Sequence, residues 1–110
     1  MAKDDFFYIA YKILAYVYEC MKKGESVDPS VIDPTTYRIT YPYLISILEE
    51  LTDEGYLKGI KFIPTKDEKI PIGLDKMKIS IKGIEYLQEN TMMKKALKTI
   101  KEVKDSIPGI

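Results

Sequence analysis

Between Phe6 and Met21 the chain reads FFYIAYKILAYVYECM, apolar or aromatic at every position except Lys12 and Glu19. Wound as a helix, Phe6, Ile9, Ile13, Val17 and Cys20 form one stripe, and Phe7, Tyr11, Leu14, Tyr18 and Met21 form a second beside it. Lys12, Glu19, Tyr8 and Ala15 fall near the remaining face. A surface helix shows a single apolar stripe about a third of the way round. This helix therefore expects cover on two sides, from its own domain or from another chain.

The pattern then changes. Gly24 stops the first helix. ESVDPSVIDPTTYRIT follows, with two Asp-Pro pairs, and Asp before Pro is an N-cap followed by a first helical position. Asp28-Pro29 is expected to open a short helix holding Val31 and Ile32, with Asp33-Pro34 ending it or starting another turn. Thr40 caps a third helix beginning Tyr41-Pro42, in which Leu44, Ile47, Leu48 and Leu51 repeat at i, i+3, i+4 and i+7 until Gly55 closes it.

Tyr56 to Ile63 is rich in strand formers, and Met77, Ile79 and Ile81 alternate with lysines and Ser80 at period two. The polar PTKDEKIPIG between them reads as a flexible connection, so the whole is a β-hairpin with a long tip. Ser80 caps a further helix with Ile84 and Leu87 inward and an end at Asn90. From Thr91 to Ile107 a last helix carries a narrow stripe of Met93, Leu97, Ile100, Val103 or Lys104, and Ile107, and Pro108-Gly109 ends it. Three helices followed by a hairpin form the winged-helix arrangement, in which the second and third helices make a helix-turn-helix and the hairpin is the wing. The expected fold is one α+β domain, winged-helix-like at residues 1–90, with an added C-terminal helix at 91–110 packed on the first helix. A second copy of the chain could cover the same surfaces.

Composition narrows the chemistry. At 110 residues one domain is expected. With 17 basic and 17 acidic residues, no global charge draws the protein to a polyanion. The apolar run is shorter than the about twenty residues a membrane helix needs, and the acidic Asp4-Asp5 start does not suit a signal peptide. The lone Cys20 cannot form an internal disulfide, which suits a reducing cytoplasm, and reads as a small buried helix residue. Histidine is absent, so neither a Ser/His or Cys/His nucleophile pair nor a zinc site of the usual Cys/His type can be built.

ILEELTDEGYLKGIKF, KISIKGIEYLQEN and KKALKTIKEVKDSI resemble the YjcQ family of small bacterial and phage or prophage proteins. The most distinctive pieces are Glu54-Gly55-Tyr56, Lys82-Gly83, and Ala96 to Asp105. The resemblance implies a winged-helix-like α+β domain and brings no catalytic residues with it. The connection before Thr40 and the wing are longer than the family pattern.

Function follows from these limits. No phosphate loop, nucleotide fingerprint or nucleophile elbow is present. Glu49, Glu50, Asp53 and Glu54 read as a solvated helix face, so no enzyme, cofactor, metal or small-molecule substrate is expected. The first expectation is DNA binding through the third helix and the wing. Its candidate contacts are Thr36, Arg38, Thr40, Tyr41, Tyr43 and Ser46, together with Lys66 and Lys69 of a wing whose six lysines exceed its acidic residues by three. Against it, Tyr41 to Gly55 carries four carboxylates and no basic residue, and Arg38 is the sole arginine. The alternative is a protein–protein or phage-assembly module on the same scaffold, for which Tyr37, Tyr41 or Tyr43 would serve as exposed contacts. Leu97 and Ile100 are candidates for self-association as a homodimer.

Overall fold

The computed structural model describes residues 5–90, and the last predicted helix, with Leu97 and Ile100, lies outside the described residues. Helix α1 spans Asp5–Lys23, α2 Pro34–Tyr37 and α3 Tyr41–Asp53. Strands β1 (Leu57–Lys58), β2 (Lys61–Pro64), β3 (Lys69–Ile72) and β4 (Lys78–Ile79) follow, with a 3₁₀ turn at Leu74–Lys76 before β4, and α4 covers Ile81–Glu89. This is a winged-helix-like α+β fold, with α2 and α3 as the helix-turn-helix and the strands as the wing.

Three helix starts arise from local chemistry. The Asp33 carboxylate accepts the Thr35 amide at 2.9 Å, the Thr40 hydroxyl that of Tyr43 at 3.3 Å, and the Ser80 hydroxyl that of Gly83 at 3.0 Å. Each satisfies one of the amides left over at a helix start. The first Asp-Pro pair behaves differently from expectation. Asp28 accepts from the amide and hydroxyl of Ser30 and closes a turn, while its own N–H donates to the Tyr16 hydroxyl at 2.9 Å. Val31 and Ile32 thus lie in turns and not in a helix, and the short helix opens five residues later at Asp33. Both pairs have the same local signal. The Tyr16 hydroxyl, reached only in the folded chain, ties Asp28 to α1.

The wing also departs from the expected strand–loop–strand. β1 pairs with β4 at its base, with Leu57 opposite Ile79 and Lys58 opposite Lys78. β2 pairs with β3 beyond, from Lys61 opposite Ile72 to Pro64 opposite Lys69. Much of the supposed flexible connection is therefore strand, closed by a tight turn at Thr65–Glu68. Gly59 interrupts the long hairpin at φ +88°, where a Cβ would stand 2.5 Å from the Lys76 carbonyl oxygen, so the strand breaks where two backbones touch. Ile81 is not a strand residue; it is the first of α4 and exposed.

The core gathers around α1. Ile9, Ile13, Val17 and Cys20 of the first stripe are buried, with Ala10, Tyr11 and Leu14. α3, β4 and α4 all pack on this helix, which supplies cover from more than one side within the domain. The second stripe is only half covered: Phe7 is 55% and Met21 43% exposed.

The end of α3 and the start of α4 lock together. The Lys82 ammonium donates to the Glu54 carbonyl at 2.8 Å, and its charge lies over the Tyr56 ring at 5.4 Å from the centroid. The Ser80 hydroxyl donates to the Gly55 carbonyl, and the Ser80 amide to that of Tyr56 at 3.0 Å. Glu54-Gly55-Tyr56 and Lys82-Gly83, far apart in the chain, are thus one latch. It satisfies the Glu54 carbonyl that the end of α3 leaves open and the two carbonyls that follow it.

Candidate interaction surface of the third helix and the wing

Helix α3 is amphipathic, with Leu44, Ile45, Ile47, Leu48 and Leu51 buried. Its opposite, outward face is made by Pro42, Ser46, Glu49, Glu50 and Asp53. In a winged helix that reads DNA this is the face that enters the major groove. Here three of its five side chains are carboxylates, and it offers no cation.

The wing lies against one flank of that helix. The Tyr41 hydroxyl donates to the Lys69 carbonyl at 2.9 Å, and the Lys69 ammonium meets the Glu49 carboxylate at 2.5 Å. That hydrogen bond, then the Glu49 charge, and to a lesser degree Asp53, raise the Lys69 pKa above its ordinary value. Strand alternation puts Phe62, Pro64, Lys69 and Pro71 on one face of β2–β3, the face toward Tyr41 and Glu49. Lys61, Ile63, Ile70 and Ile72 make the other face. The three isoleucines are 50%, 40% and 48% exposed, an apolar face turned to water.

The expected DNA contacts are not equally placed. Thr36, Arg38, Ser46 and Lys66 are exposed, and their side chains make no hydrogen bond or ion pair with another described residue. Arg38 sits in the turn between α2 and α3 at φ 58°, ψ 47°, the left-handed conformation that ends a helix and that glycine usually supplies. Lys66 is at the wing tip. The other four are engaged. Thr40 caps α3. Tyr41 holds the wing, its hydroxyl raised in pKa by burial and then by Glu68. Tyr43 packs on Phe6 of α1, ring centroids 6.3 Å apart, and burial followed by the Asp5 charge raises its pKa. Lys69 is paired with Glu49. Tyr37, expected as an exposed contact, is instead buried: only 8% exposed, it receives the Lys12 ammonium over its ring at 5.9 Å, and burial pushes its hydroxyl up to about 12. The one buried face of a four-residue helix has to point at α1, and Tyr37 is on it.

A family model described as YjcQ protein matches residues 11–106. The chain belongs to the YjcQ family. No curated protein and no solved structure matches it significantly. The YjcQ match runs from Tyr11, within α1, through α4 to residue 106, so the latch at Tyr56 and Lys82 lies inside it. Among the described residues, no three His, Cys, Asp or Glu side chains are grouped so as to hold a metal ion. Cys20 is buried as the sequence suggested, and no helix of the described residues is long and apolar enough to cross a membrane.

The sequence pointed to the acidic α3 and the lysine-rich wing but missed that they meet. The signal was present in part: Lys69 lies in the wing and Glu49 on the exposed helix face. Only the register of β3 brings the two together. Replacing Tyr41 with Phe tests the hold on the wing. Loss of its bond to the Lys69 carbonyl should lower stability by about 1 kcal/mol and speed amide exchange from Lys69 to Ile72. Unchanged exchange would assign the wing's position to the Lys69–Glu49 pair and the packing of Phe62.

Proposed function

We propose that this YjcQ-family chain is a small non-enzymatic, phage- or prophage-type protein-interaction module. Its winged-helix scaffold presents α3 to a cationic protein partner. The observation that carries this reading is the outward face of α3, where Glu50 and Asp53 stand exposed, beside a Glu49 already held by Lys69, at the position from which a DNA reader approaches phosphate. A polyanion meets repulsion there; a partner bringing lysines or arginines meets attraction. The exposed Ile63, Ile70 and Ile72 on the wing add apolar area of the kind found at protein contacts.

A second reading, duplex binding, is favoured by the exposed Thr36 and Arg38 beside the N-terminus of α3 and by Lys66 at the wing tip. Salt-dependent titration separates the two. Random-sequence duplex should show no shift at about 50 mM salt, whereas a lysine–leucine amphipathic peptide should perturb the amides of Ser46 to Asp53. The double change Glu50→Lys, Asp53→Lys should abolish the peptide response and create duplex affinity. Duplex binding by the unaltered protein that falls by orders of magnitude between about 50 and 200 mM salt and vanishes in Arg38→Glu, Lys66→Glu would overturn the proposal and establish the second reading.

A further inference from the structure

A groove of about 260 Å³ opens where α1, α3 and α4 meet, over the buried Ala10 and Leu51. Two aromatic pairs wall it. Phe6 and Phe7 meet edge to face with centroids 5.4 Å apart, and Tyr56 and Tyr86 lie 5.0 Å apart. Glu50 and Glu54, one turn apart at the end of α3, form its polar rim.

Aromatic faces attract cations through their quadrupole, and the two carboxylates act in the same sense. The fold already uses this attraction at one ring, where the Lys82 ammonium lies 5.4 Å from the Tyr56 centroid. Among the described residues no cation stands over Phe6, Phe7 or Tyr86, and neither Glu50 nor Glu54 has an ion pair. Two carboxylates against the one Lys82 ammonium leave the groove negative. We propose that this groove binds the guanidinium side chain of an arginine, with its methylenes on Phe7 and its head at Glu50 and Glu54. The proposal names the anchor of the cationic partner assigned to α3, and it rests on that reading for where the arginine comes from.

Three observations choose this occupant. The first is size: pockets for drug-sized ligands begin at about 300 Å³, so this groove takes one side chain and not a larger molecule. The second is the pairing of rings with carboxylates. An apolar side chain would desolvate Glu50 and Glu54 without pairing them. A guanidinium is planar and weakly hydrated, stacks on rings and meets carboxylates in a fork, which the compact, strongly hydrated ammonium of lysine does less well. The third is position. Glu50 belongs both to the groove and to the outward face of α3, and Phe7 is 55% exposed, so the groove opens onto the surface assigned to the partner.

Titration of 1-butylguanidinium into the 110-residue protein at about 20 mM salt, followed by NMR, tests the groove. Ring protons of Phe6, Phe7 and Tyr86 should shift saturably, with a dissociation constant on the order of 10 mM. The neutral analogue 1-butylurea should bind about tenfold more weakly. The double change Glu50→Gln, Glu54→Gln should weaken the guanidinium response about tenfold, and Phe7→Ala about threefold. Neither alters the latch, whose acceptor is the Glu54 backbone carbonyl, so unchanged α4 amides would show the fold intact. Equal binding of butylurea would make the site apolar and overturn the proposal, as would shifts at Glu49 and Asp53 that bypass the rings, or no saturable shift at all. The lysine–leucine peptide separates this inference from the reading beneath it. Peptide shifts at Ser46 to Asp53 with no guanidinium response at the rings would sink the groove and leave the cationic partner standing. A guanidinium response without any peptide response would keep the groove as a guanidinium site and remove the partner from α3.

Discussion

Replacing Gly83 with alanine should destabilise the protein by about 3 kcal/mol, lowering the thermal midpoint by roughly 15 °C. In an open helix the same change would stabilise by about 1 kcal/mol, because alanine has the higher helix propensity. The sign reverses here because of what faces the third residue of α4. A Cβ at Gly83 would stand 2.5 Å from the Tyr56 carbonyl oxygen and 2.6 Å from Ile79 Cγ1. The first is backbone, and that same carbonyl accepts the Ser80 amide at 3.0 Å. The second belongs to a side chain only 1% exposed, in the centre of the core. Neither can withdraw, so α4 would have to lift from β1 and β4 and pull the Lys82 cap off α3. Against a total stability of about 5–15 kcal/mol, the loss is readily seen in a denaturant or thermal melt. A more stable Gly83→Ala variant would show that α4 is not seated on the base of the wing.

Leu14→Ala should cost about 3 kcal/mol, while Phe7→Ala, seven residues earlier on the same apparent stripe, should cost about 1 kcal/mol or less. Leu14 is 0% exposed and Phe7 is 55% exposed. Truncating the first removes methyl groups from a close-packed interior and leaves a cavity, whereas truncating the second removes little more than an edge contact with the Phe6 ring at a centroid distance of 5.4 Å. The pair measures how far the enclosure of α1 extends. Equal losses at the two positions would mean that another part of the protein buries Phe7 as deeply as Leu14.

The two variants also mark how far the pattern of residues could be read. Leu14 and Phe7 are equivalent on a helical wheel, and no local property separates them. Their difference lies in where α3, β4 and α4 stop. The caps were legible for the opposite reason. Thr40 and Ser80 act on amides three residues away, within the same turn of chain, so composition and spacing were enough. Where two local signals were identical, as at Asp28-Pro29 and Asp33-Pro34, reading by spacing chose the wrong one for the helix. A partner 12 residues distant, Tyr16, made the difference. The inner hairpin was missed because Pro64, Pro71 and the charges between them look like loop. Prolines are tolerated there because neither strand has a neighbour on its outer edge among the described residues.

The candidate surface divides in the same way. That α3 is acidic and the wing basic could be counted along the chain. Which of those groups are already engaged could not. Lys69 with Glu49, Tyr41 with the Lys69 carbonyl, Tyr43 with Phe6 and Tyr37 beneath Lys12 are all contacts across elements. Each changes a group that looked available for a partner into one that holds the fold.

The sequence by itself determined the order of α1, α3, the base of the wing and α4, the caps at Thr40 and Ser80, the inward residues of α3 and α4, and the lack of any histidine for the usual nucleophile pairs and zinc sites. These are properties of neighbours along the chain, set by side-chain periodicity and by hydrogen bonds that close within a turn. Only the tertiary structure decided which flank of α1 is covered, how the wing folds back on α3, and which face of α3 is left to meet a partner. Those outcomes depend on β-strand register and on the close approach of backbones such as Gly83 to Tyr56. Both are set by packing between segments whose separation along the chain carries no local signal.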